Sequence, residues 1–205
     1  MEEALATILR RPVELTVAGR TDRGVHARGQ LASHAGEPAP LRSLNALLPD
    51  DVSALASAQA PAGFDARRDA RSRTYRYRVL ARSAPSPFER RRALWWPRPL
   101  DRPALDECAA ALRGDHDFTA FTPTDSDHAR FRREVLRAEW TDEPDDVLAF
   151  WIEADTFMRH MVRVLVGTML SSPPEAFVRL LEGRPRSEAG ATAPAHGLYL
   201  ESVRY

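Results

Sequence analysis

Lysine is missing from this 205-residue chain: all 29 of its basic residues are arginine, set against 29 acidic ones. A formal net charge of zero excludes a global attraction to nucleic acid or to an anionic membrane and leaves only local patches to do such work. Those patches consist of guanidinium groups, which make planar bidentate bonds to phosphate that an ammonium cannot. Cysteine is nearly absent too. Cys108 is the only one, which excludes an internal disulfide and any multi-cysteine zinc site and suits a reducing cytoplasm. Its expected place is as a small buried hydrophobe. No run approaches the roughly 18 uncharged apolar residues of a membrane span. The start, Met1-Glu2-Glu3, lacks the basic residues that open a secretory signal, so a cytoplasmic location is expected. Short tandem repeats and low-complexity segments are missing as well.

What is present is an ordinary globular balance, 43% hydrophobic and 28% charged, in a chain long enough for one large domain or two small fused ones. The charge is unevenly spread. Between Phe64 and Arg92 stand ten Arg (67, 68, 71, 73, 76, 78, 82, 90, 91 and 92) against Asp65, Asp69 and Glu89. Such a run is either a solvated strand face or a ridge that contacts RNA.

Apolar spacing at Ala4, Leu5, Ile8 and Leu9 predicts a helix at the start of the chain, with two Glu in its first turn to complement the helix dipole. Val13 to Gly19 and Gln30 to His34 read as strands around the turn-rich stretch from Arg20 to Gly29. Leu41 to Leu48 reads as a helix ended by Pro49, and Asp51 to Ala60 as a strand. From Arg73 to Leu80 the residues alternate, with Tyr75, Tyr77 and Val79 on one face and Thr74, Arg76 and Arg78 on the other. Leu105 to Leu112 is helical; Glu134 to Thr141 and Val147 to Ala154 form an antiparallel pair, the second strand apolar on both faces and so central. Phe157 to Leu170 is the most periodic helix, with Arg159 and Arg163 four residues apart on one side. A short helix from Glu175 to Leu181 and a last strand from Leu198 to Tyr205 complete an α+β order with helices packed on an antiparallel sheet.

Taken alone, Arg20-Thr21-Asp22 before Gly24 is a strand end entering a turn, where an Asp commonly caps backbone amides. The longer stretch Gly19-Arg20-Thr21-Asp22-Arg23-Gly24-Val25-His26-Ala27 closely resembles the catalytic signature of the transfer-RNA pseudouridine synthase A family. Further features similar to that family follow in order: Leu44-Asn45 with Leu48-Pro49 and Asp51-Val52; Phe64-Asp65-Ala66-Arg67; Tyr75-Arg76-Tyr77. Then come Gly114-Asp115-His116-Asp117-Phe118 through Phe121, the segment Phe157 to Arg163 with Gly167, and Ala193-Pro194 to Leu200.

The resemblance implies a pseudouridine synthase fold of two ferredoxin-like halves, residues 1–70 carrying the catalytic Asp and residues 71–205, with their antiparallel sheets joined. It implies isomerisation of uridine in the anticodon arm of transfer RNA by a homodimer that needs no cofactor and no metal. The reaction breaks the bond from uracil N1 to ribose C1′ and joins C5 to the same carbon, so few groups are required. An ionised carboxylate beside the ribose serves as nucleophile or as base, and a guanidinium keeps it charged in a dry pocket. The resemblance gives these parts to Asp22 and Arg163, and gives stacking on the displaced uracil and proton transfer at C5 to Tyr75. Without it, Tyr75 and Tyr77 read as packing aromatics, and Tyr77 is better explained that way. Arg20 is matched to the residue that holds the target nucleotide out of its stem. Arg73, Arg76, Arg78 and His26 are the further expected substrate contacts.

His26, His116 and His160 match no common metal-ligand spacing. Asp115, Asp117, Asp125 and Asp127 read as solvated loop or cap residues rather than a magnesium site. Family proteins start with a strand and loop ahead of the helix that opens this sequence. The expectation is therefore a shortened chain with exposed sheet edge, and the alternative function is an inactive RNA-binding remnant of the same family.

Overall fold

The computed structural model describes residues 1–126 and 129–205. Asp127 of the expected acidic loop lies outside the described residues. The chain forms two compact units, one of residues 1–19 with 31–70 and a larger one of residues 20–30 with 71–205. The stretch that carries Asp22 therefore groups with the larger unit.

In the smaller unit α1 (Glu2–Leu9) buries Ala4 and Leu5 with Val13, Ala39 and Leu44, the last from α2 (Leu41–Leu47). The two expected strands shrink to a two-residue antiparallel pair, β1 (Thr16–Val17) with β3 (Ala32–Ser33). The strand expected over Asp51 to Ala60 does not form. A strand needs a neighbour for its amides, and here the Asn45 side chain takes that role, accepting from Ala54 N at 2.7 Å and donating to Ala54 O at 2.9 Å.

The larger unit is built on a seven-stranded mixed sheet. Its order is β2 (His26–Ala27), β9 (Leu198–Arg204), β4 (Ser72–Leu80), β8 (Val147–Ala154), β7 (Arg132–Glu143) and β6 (Gly114–Asp117), with β5 (Leu94–Trp95) beside the end of β4. β8 lies between β4 and β7, as its two apolar faces require. Most pairs are antiparallel; β2 with β9 and β4 with β5 are parallel. The alternation along β4 is realised residue by residue, Tyr75, Tyr77 and Val79 entering the main core while Arg76 and Arg78 face away.

Three helices contribute to that core: α3 (Arg102–Ala111), capped by the Asp101 carboxylate at Ala104 N, α4 (Met161–Met169) and α5 (Pro174–Leu180). Cys108 is buried on α3, and burial pushes its thiol up to about 11. Helix α4 starts at Met161, not at Phe157. His160 adopts the left-handed conformation (φ 63°) and caps the helix, so Arg159 lies outside it and the expected four-residue spacing to Arg163 is not helical. Across the described residues this is an α+β protein with five α-helices and a mixed sheet, consistent with the pseudouridine synthase fold.

Candidate active site

Asp22 opens a tight turn closed by Val25 N to Asp22 O at 3.0 Å. Gly24, third in that turn, has φ 88°, a conformation that glycine reaches without a steric penalty. After the turn β2 joins the sheet edge, and Arg28 N and Gly29 N both donate to Leu200 O. Any side chain at Gly29 would bring its Cβ to 2.3 Å from the Glu201 carbonyl oxygen, so this approach is open only to glycine. The chain leading away from Asp22 is thus fixed to β9 by backbone bonds.

The carboxylate of Asp22 caps no backbone amide among the described residues. Its Oδ2 instead accepts from Arg163 Nη1 at 2.7 Å, and Arg163 Nε donates to Ala193 O at 2.8 Å. Two bonds from one rigid guanidinium fix its plane, and Ala193 N returns a bond to Arg163 O at 3.1 Å. The Asp22 side chain retains 29% of its exposure and Arg163 15%, so the pair is partly desolvated yet reachable.

Tyr75 lies beside this pair on β4, 8% exposed, with its ring edge-on to Phe157 at 5.0 Å. Its hydroxyl is pushed up to about 12, by burial first, while the charge of Arg73 lowers it and that of Asp22 raises it. The group is therefore a neutral phenol throughout the physiological range. Tyr77 is fully buried, and its hydroxyl donates to Pro194 O at 2.8 Å, a packing role.

The structure sorts the expected substrate contacts. Arg20 is exposed and makes no ion pair among the described residues. Arg73 is buried near Tyr75, its Nη1 donating to Asp155 O at 2.9 Å. Arg76 and Arg78 lie on the opposite face of β4, where Glu143 bridges them at 2.6 and 2.9 Å. Glu201 approaches Arg76 at 2.7 Å and Glu89 approaches Arg78 at 2.5 Å. Arg76 is also sandwiched between the Trp151 and Tyr199 rings. Their guanidinium groups are thereby committed to carboxylates within the protein. His26 stacks on Tyr199, and its Nε2 donates to Arg91 O at 2.7 Å, so its ring is held by the protein itself.

His160, whose sequence spacing matches no metal-ligand pattern, is a further neighbour of Asp22. His160 Nε2 stands 3.4 Å from Asp22 Oδ2, the same oxygen that Arg163 holds. The left-handed turn at His160 produces this, by reversing the chain just before α4 begins. Its position three residues ahead of Arg163 was the available signal, but only the turn sets both side chains on one carboxylate. No group of three or more His, Cys, Asp or Glu residues able to hold a metal ion occurs among the described residues.

A carboxylate held by a guanidinium beside a buried neutral phenol is an arrangement capable of acid–base or nucleophilic chemistry. A family model described as tRNA pseudouridine synthase matches residues 108–205. The whole chain is 44% identical to a protein named tRNA pseudouridine synthase A from Frankia casuarinae, of which it covers 79%. A Moorella thermoacetica protein of the same name is 38% identical over 98% of this chain and 86% of its own length. One from Myxococcus xanthus is 37% identical over the full chain and 81% of its own length. The chain belongs to the tRNA pseudouridine synthase A family, a family of isomerases.

Proposed function

We propose that this protein converts uridine to pseudouridine in the anticodon arm of transfer RNA, with Asp22 as the catalytic carboxylate. The observation that carries this reading is the bond from Arg163 Nη1 to Asp22 Oδ2 at 2.7 Å, made next to Tyr75. That charge-assisted bond fixes the orientation of the carboxylate at the ribose. Both Arg163 and His160 approach Oδ2, and among the described residues Oδ1 accepts no hydrogen bond, so Oδ1 is the oxygen presented to substrate.

The glycosidic bond to N1 breaks, the uracil turns, and C5 bonds to C1′; C5 then loses its proton and N1 gains one, so no external reactant is consumed. The Tyr75 ring offers a stacking surface, and its protonated hydroxyl offers a hydrogen bond to the displaced base. Arg20, exposed at the head of the catalytic turn, is the group assigned to hold the flipped nucleotide, a rearrangement of a few kcal/mol. Arg73 and His26 support the site from within, through Tyr75 and through the Arg91 carbonyl. Arg76 and Arg78 are left to the sheet. The same reading takes the chain as two ferredoxin-like halves acting as a cytoplasmic homodimer.

The loss of the C5 proton supplies the test. A transcript labelled with tritium at uridine C5 should release tritium to water with the unsubstituted protein and none with Asp22→Asn. Full release by a correctly folded Asp22→Asn would end the assignment.

A further inference from the structure

Ten arginines crowd the stretch from Phe64 to Arg92, and the structure separates those already engaged from those that are not. Arg76 and Arg78 are spent on Glu143, Glu201 and Glu89. Arg90, Arg91 and Arg92 are exposed, and among the described residues none of the three guanidinium groups meets a carboxylate. Phe88, two residues ahead, is 86% exposed, the largest exposure of any bulky apolar side chain described.

This turn is exposed without being loose. Glu89 N donates to Ser86 O at 3.2 Å, and Arg92 N and Ala93 N both donate to Glu89 O. Its inward-facing groups are all taken: the Glu89 carboxylate by Arg78, the Arg91 carbonyl by His26 Nε2 at 2.7 Å, and the Arg92 carbonyl by the Tyr199 hydroxyl at 2.8 Å. Backbone and carboxylate bonds anchor the turn, while three adjacent cations and one aromatic ring stay exposed on it. His26 lies four residues beyond Asp22, a length of chain that reaches at most about 14 Å. The anchor of the turn is therefore held near the catalytic carboxylate by the same short segment.

We propose that residues 88–92 form a docking platform for the ribose–phosphate backbone of the RNA whose uridine reaches Asp22, with Phe88 stacking an unpaired base and Arg90, Arg91 and Arg92 meeting phosphates. His26 acts here as a positioning residue that sets the height of the platform through the Arg91 carbonyl. Phosphate is the ligand that the chemistry selects, because unpaired planar guanidinium groups bind it bidentately. A nearby exposed ring adds sequence-tolerant stacking. The inference rests on the reading of the chain as an RNA isomerase.

The test measures binding of an unmodified transfer-RNA transcript to the full chain carrying Asp22→Asn, between about 50 and 200 mM salt. Replacing Arg90, Arg91 and Arg92 together with Gln should flatten the plot of log K against log salt by about 2 to 3, since each lost phosphate contact removes about 0.7 to 0.9. In turnover by the Asp22 protein the same triple change should raise KM at least tenfold, with the loss falling on KM rather than kcat. Phe88→Ala should weaken binding about fivefold or more. An unchanged salt slope and KM in the triple variant would overturn the proposal. So would a Phe88→Ala protein that binds RNA as before but changes its sedimentation mass, which would make this face a contact between copies of the chain. If the unsubstituted protein turns over and Asp22→Asn does not, failure of the platform leaves the catalytic reading standing. Absence of turnover in the unsubstituted protein fails that reading whatever the platform does.

Discussion

Arg163 makes two bonds with fixed geometry, Nε to Ala193 O and Nη1 to Asp22 Oδ2, and a lysine could satisfy only one of them at a time. Arg163→Lys should therefore retain the charge and the fold yet lower kcat by roughly tenfold to a hundredfold, as expected when a catalytic group loses its orientation. Single-turnover rates at saturating RNA check this. His160 provides a milder case. Glycine suits its left-handed backbone, so His160→Gly removes the imidazole without straining the turn before α4, and a rate loss with an unchanged melting temperature is the expected outcome. Tyr75 gives a prediction in pH. Burial raises its hydroxyl from 10.0 to about 12, so the folded protein holds that proton while the unfolded chain releases it. Stability should fall as pH climbs from 10.0 to about 12, by on the order of 2 to 3 kcal/mol from this group. Burial pushes Tyr77 in the same direction. Denaturant melts of Tyr75→Phe should show a shallower alkaline decline than the parent.

Among the elements, β4 holds both the proposed active-site phenol and a structural ion-pair network. Its core face bears Tyr75; its other face bears Arg76 and Arg78, bridged by Glu143 with 12% to 17% of their side chains exposed. Burial raises the Glu143 carboxyl, but the bonds from Arg78 and Arg76 outweigh it and hold the group below its ordinary value. Its contribution to stability is present above the unfolded value of 4.5 and is lost as pH falls through the lower folded value. Glu143→Gln should destabilise the protein by about 3 kcal/mol, because two partly buried guanidinium groups lose their shared anion, and it should remove part of the acid limb of the stability curve. The alternation that made this strand legible also separated its two faces correctly. What it could not tell was that carboxylates on β7, on β9 and in the turn at Glu89 would come to the basic face, since those partners are distant in sequence. The start of α4 at Met161 is hidden from the sequence for a related reason. Apolar spacing runs smoothly from Phe157, and nothing local announces that His160 will turn left-handed. Asp51 to Ala60 has the propensity of a strand, but propensity does not supply a pairing partner, and Ala54 bonds to the Asn45 side chain instead.

At the scale of the whole molecule, the sequence motifs read as catalytic are distributed over three separate places: the turn at residues 20–25, β4, and α4 with the segment at 193. Their convergence in the larger unit explains why Asp22, with two thirds of the chain between it and Arg163, bonds to it directly. That convergence could be expected from resemblance but not from periodicity, which carries no information about long-range contacts. The net charge of zero likewise hides the feature that matters, because paired arginines cancel while Arg90, Arg91 and Arg92 remain exposed. The central claim is that this chain forms pseudouridine in the anticodon arm through Asp22. Its most direct test is to map pseudouridine at nucleotide resolution in an unmodified transfer-RNA transcript after incubation with the 205-residue protein, with Asp22→Asn in parallel. Modification confined to the anticodon arm and abolished by Asp22→Asn is the predicted result. Modification elsewhere in the transcript, or at an equal level with a folded Asp22→Asn protein, would contradict the account.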